Sequence, residues 1–62
     1  MRMYVYEIKT RDPEAGKFEA EQVPYGAPDA ITAQIALMEH LRNVTTEGKT
    51  IISVELMDAY TL

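Results

Sequence analysis

The amino-acid sequence predicts a single α+β domain of order β-β-α-β, with a three-stranded antiparallel sheet in order 2-1-3 and one helix packed on one of its faces. Three observations predict it. Two stretches rich in tyrosine, β-branched residues and alternation, 2–10 and 17–23, flank the turn cluster Arg11-Asp12-Pro13-Glu14-Ala15-Gly16. The segment PDAITAQIALMEHLRNV, 28–44, has no glycine and a proline only at its start. A last β-rich stretch, 50–57, follows Gly48.

The first strand carries Tyr4, Val5, Tyr6 and Ile8, apolar on both faces, as suits a central strand. The second carries Lys17, Glu19 and Glu21, which suit an edge. Pro24, Gly26 and Pro28 are expected to end it, with Pro28 in the first helical turn and Asp29 at the positive end of the helix dipole. A right-handed crossover from the second strand through the helix then sets the third strand beside the first.

Alternation places Ile52, Val54 and Leu56 towards the helix with Phe18, Ala20, Tyr4, Tyr6 and Ile8. The opposite face is expected to carry Met3, Val5, Glu7, Glu19, Glu21, Ile51, Glu55 and Met57. Glu7, Glu19, Glu21 and Glu55 would thus form one negative patch, a candidate partner-binding surface; an ordinary solvated face is the plainer alternative.

The helix is more apolar than one sheet face requires. At about 100° per residue, its apolar positions from Ala33 to Ile35 cover an arc of roughly 200°, against about 100° for a one-sided helix. The arc divides into two lobes with Gln34 between them. Ala30, Ala33, Leu37, Leu41 and Val44 follow a core stripe, and Ile31, Ile35 and Met38 follow a second. Either a curled sheet covers both, or the second lobe meets a protein partner or another copy of the chain.

Sixty-two residues lie near the lower size limit for a self-sufficient core. With no cysteine and one histidine, disulfides and thiolate or multi-histidine zinc sites are excluded, which leaves association as the remedy. A net charge of −4 argues against direct binding to nucleic acid and points instead to a basic, nucleic-acid-binding protein as partner. No stretch is long enough to cross a bilayer, and Glu7 and Lys9 interrupt any leader core, so the expected location is the cytoplasm, or a host cytoplasm.

No catalytic, metal or cofactor motif stands out, and an enzyme is not expected. Glu39-His40 is the one place to seek a general acid or base, but helix neighbours point about 100° apart, so His40 reads as a surface histidine. Gly16, Gly26 and Gly48 are isolated turn glycines rather than a phosphate loop. Among the tyrosines, Tyr4 and Tyr6 read as core, Tyr25 and Tyr60 as candidate exposed anchors.

The β-β-α-β order, acidic balance and short length resemble small bacteriophage proteins that inhibit host machinery, such as the phage inhibitor of bacterial RNA polymerase and some anti-CRISPR proteins. The opening MRMYVYEI with DPEAGKFEAE is also similar to the amino-terminal module of antitoxins paired with mRNA-cleaving toxins, which have an extra strand before the helix. Both resemblances imply a protein that binds another protein, and neither assigns a functional residue. The expectation is a small acidic interaction module that blocks a polymerase, nuclease or CRISPR effector, or alternatively a self-associating homodimer.

Overall fold

In a computed structural model describing residues 1–62, β1 spans Arg2–Asp12, β2 Lys17–Ala27, α1 Ala30–Thr46 and β3 Thr50–Thr61. The sheet order is β2-β1-β3, with both pairings antiparallel, and the helix crosses from one edge strand to the other. The α+β order read from the sequence is therefore the observed one.

The β1–β2 hairpin closes because Asp12 and Gly16 each supply what the turn needs. The Asp12 carboxylate accepts the Glu14 and Ala15 N–H groups, and the Gly16 N–H donates to the Asp12 carbonyl at 2.8 Å. Gly16 sits at φ +66°, where a side chain would be strained.

β2 does not end at Pro24, as the sequence suggested, but pairs with β1 as far as Ala27. Pro24 is tolerated because β2 is an edge strand, where an N–H is dispensable. The helix starts at Ala30, two residues later than expected, and Pro28 lies outside it: Asp29 is the N-cap, and its carboxylate accepts both the Thr32 N–H and hydroxyl at 2.8 Å. At the other end the chain leaves through Gly48 at φ +89°, with the Lys49 N–H donating to the Val44 carbonyl.

Register decides which side chains meet the helix. Tyr4, Tyr6, Ile8 and Thr10 of β1 are buried beneath it, and their partners in β2 are Tyr25, Val23, Glu21 and Glu19. Glu19 and Glu21 thus share the helix-covered face, whereas Phe18 and Ala20 lie on the bare one. This reverses the sequence expectation for the second strand.

β3 is displaced twice, at Ile51–Ser53 and Leu56–Asp58, each time by one extra residue opposite β1. The first bulge sets Ile51 opposite the buried Thr10. Ile52 instead joins Lys9, Phe18 and Ala20 around a shallow depression of about 310 Å³ on the bare face. Val54 and Leu56 point towards the helix as expected, opposite Ile8 and Tyr6.

The core is small. Tyr4, Tyr6, Ile8, Ala27, Ala33 and Leu37 form it, with Val23, Tyr25, Leu41 and Val54 packed around them, and Ile8 is the one large side chain wholly removed from solvent. Of the core stripe expected on the helix, Ala33, Leu37 and Val44 are buried and Leu41 half-buried, while Ala30 is exposed.

Candidate functional site

Two surfaces compete for a functional role, and the structure separates them. The four glutamates do not form one patch. Glu7 and Glu55 are cross-strand partners on the bare face, with the Lys9 ammonium 3.8 Å from the Glu7 carboxylate. Glu19 and Glu21 lie on the other side of the sheet, engaged by the helix end of the molecule: Lys49 donates to Glu19 at 3.2 Å, and His40 Nε2–H donates to the Glu21 carboxylate.

The clamp between helix and β2 explains these two carboxylates. His40 is half-buried at the helix–sheet seam rather than a free surface histidine. Tyr25 is likewise half-buried, its ring 6.3 Å from that of Tyr6, so it is not an exposed anchor. Partial burial, and then the nearby Glu21 carboxylate, push its phenol above the usual value. The Glu19 carboxylate similarly raises the Lys49 ammonium, first by hydrogen bonding and then by charge. Glu21 lies beside both His40 and Tyr25, and the His40–Glu21 contact ties the helix to β2.

The second surface is the helix lobe. Ile31, Ile35 and Met38 are 71, 60 and 62% exposed, so the sheet covers one lobe only and the curled-sheet alternative does not hold. On the helix, His40 and Met38 lie about 160° apart. Because His40 reaches β2, the flank bearing Met38 and Ile31 leans out on the β3 side, with Ile35 at its upper rim.

The sheet beneath that flank is also apolar and open. Leu56, on the helix-facing side of β3 and opposite Tyr6, is 53% exposed, and Met57 beside it is 49% exposed. Tyr6, opposite Leu56, and Leu37, beside Met38 in the chain, belong to the same core cluster. β3 has no strand on its outer side, so half of its backbone groups are unpaired there. Sequence reading found the lobe but not the edge beside it; the signal was a twelve-residue strand without proline or lysine.

The bare face has an apolar element of its own in Phe18, 72% exposed beneath the Arg11 guanidinium at 5.9 Å. No helix is long and apolar enough to cross a membrane. Comparison with known families, characterised proteins and solved structures returned no match. The surfaces of this chain are therefore the evidence for its role.

Proposed function

We propose that this chain is a non-enzymatic protein–protein interaction module whose contact surface is the helix lobe of Ile31, Ile35 and Met38. The observation that carries the reading is the exposure of three large apolar side chains on one flank of a helix whose other flank packs Ala33, Leu37 and Val44 against the sheet. Hydrophobic side chains scattered singly are ordinary, but a contiguous group beside further apolar surface marks an interaction site.

The net charge of −4 favours a partner with a basic surface, such as a nucleic-acid-handling protein, through the field of the whole molecule. It does so without the four-carboxylate patch, which is split across the sheet. In its most specific form the reading is an inhibitor of bacteriophage type that occupies the surface of a polymerase, nuclease or CRISPR effector.

The test is retention from a bacterial lysate on immobilised chain, compared with a variant carrying Ile31→Ser, Ile35→Ser and Met38→Ser. A protein held by the original chain and released by the variant supports the lobe as the contact. Equal retention by both moves the contact elsewhere and overturns the assignment.

A further inference from the structure

We infer that the free edge of β3 and the helix lobe beside it join two copies of this chain into one six-stranded sheet with both helices on the same face. This deepens the interaction reading above, on which it rests, by naming the occupant of the lobe as a second copy.

The first argument is that the isolated chain is left open. A compact 7.0-kDa monomer exposes about 4,000 Å² by the usual scaling, whereas this chain exposes 4356 Å². Its radius of gyration is 12.4 Å against about 10.5 Å for a compact domain of this length. Both excesses belong to a slab of 39 × 18 × 13 Å whose helix covers only part of one face. Without cysteines there is no covalent means of making up the difference.

The second argument is the contrast between the two sheet edges. β2 is protected by Lys17, Glu19, Glu21 and Pro24, the usual devices against strand addition. β3 bears neither lysine, arginine nor proline; its irregularities are the two bulges, and its two acidic residues, Glu55 and Asp58, belong to the bare face. The helix side of that edge presents Leu56 without a charge.

The third argument is self-complementarity. Antiparallel pairing of β3 with its own copy generates a two-fold axis, the commonest symmetry of soluble dimers, and brings like surface to like. The two helix axes then stand about 14 Å apart, three strand spacings, if each is centred over its β1. That gap is wider than bare helices can close, and Met38, Ile31 and Leu56 from each copy are the side chains placed to fill it.

The exposed area suits this occupant, and the charge makes its association salt-dependent. Ile31, Met38, Leu56 and Met57 are each about half exposed or more, and with the outer strand backbone they supply the apolar centre of an interface, Ile35 lying at its upper rim. The lobe itself carries no charge, and the acidic Glu55 and Asp58 of the edge lie on the other face, but two copies at −4 each repel at long range. Added salt should therefore tighten the dimer, the reverse of its effect on a basic partner.

Sedimentation velocity of the purified chain from micromolar to millimolar concentration, at low and high salt, tests the association. The expected result is a species near twice 7.0 kDa, favoured by salt, and a dissociation constant raised at least tenfold by Leu56→Lys or Met38→Glu. Amide hydrogen exchange on the unaltered chain locates the contact without any variant: the outward N–H groups of β3 should be protected while those of β2 exchange fast. A monomer at millimolar concentration, or a dimer whose β3 edge exchanges as fast as β2, overturns the inference. Lobe-dependent retention from the lysate by such a monomer would leave the interaction reading standing; its loss as well would remove both.

Discussion

Glu7 and Glu55 stand directly opposite one another on β1 and β3, two carboxylates on the face that the helix leaves bare. Like charges in register across strands are destabilising, and the Lys9 ammonium, 3.8 Å from Glu7, offsets the repulsion only in part. Glu55→Lys should convert repulsion to attraction and stabilise the fold by about 0.2–1 kcal/mol, raising the thermal midpoint by roughly 1–8 °C. Calorimetry at low and high salt checks it, and the gain should shrink with salt.

Ile8 is the anchor of the core. Ile8→Ala should cost about 2–5 kcal/mol, comparable with the whole stability of roughly 3–9 kcal/mol expected at this length, and should leave much of the chain unfolded at 25 °C. Ile8→Val should cost only about 0.5–1.5 kcal/mol. Urea titration of the two variants separates a tight core from a loosely packed one, in which the two costs would converge.

Asp29 sets an acid limit. Its hydrogen bonds from the Thr32 N–H and hydroxyl hold its carboxyl below the usual value. A lowered folded value means that the stabilisation is complete above about pH 4 and lost as pH falls through the folded value. Asp29→Asn keeps a cap without a proton to bind and should flatten that part of the acid dependence; Asp29→Ala should lower the midpoint by about 4–8 °C at neutral pH. Thermal melts between pH 2 and 7 give both readings.

Tyr25 and Lys49 set the alkaline limit. Both groups are raised in the folded chain, so stability is complete below their ordinary values, about 10 and 10.5, and is lost as pH rises through the raised ones. Glu21→Gln removes the smaller cause at Tyr25, the carboxylate charge, and should bring its phenolate absorbance titration part of the way back towards 10. A titration that does not move would mean that burial alone holds the phenol.

The element order and the two helix lobes were legible because each rests on local chemistry: turn residues at 11–16, an unbroken apolar period at 28–44, and a central strand apolar on both faces. The faces of the outer strands were not. Ending the second strand before Pro24 leaves out Tyr25 and Ala27, whose burial fixes the parity that puts Glu19 and Glu21 beneath the helix. Phe18 points the other way despite being apolar, because hairpin pairing of Asp12 with Lys17 outweighs the preference of one aromatic for cover.

In β3 the bulges are silent in the sequence. Ile51-Ile52 and Leu56-Met57 are pairs of apolar neighbours, so adding a residue at either place alters which one faces the helix without disturbing any visible alternation. The four-glutamate patch failed for the same reason: it assumed one uninterrupted parity across three strands. Glu7 and Glu55 are the half for which that assumption holds.

Pro24 gives the sheet a direction in which it cannot grow. At that position the outer strand has no N–H to offer, and the carboxylates of Glu19 and Glu21 are already held from the helix side by Lys49 and His40. A strand added at β3 therefore meets, on its far side, another β2 that accepts nothing further. In the dimer inferred above, pairing through β3 would end at two chains, because both outer edges would then be β2, with its charged side chains and Pro24.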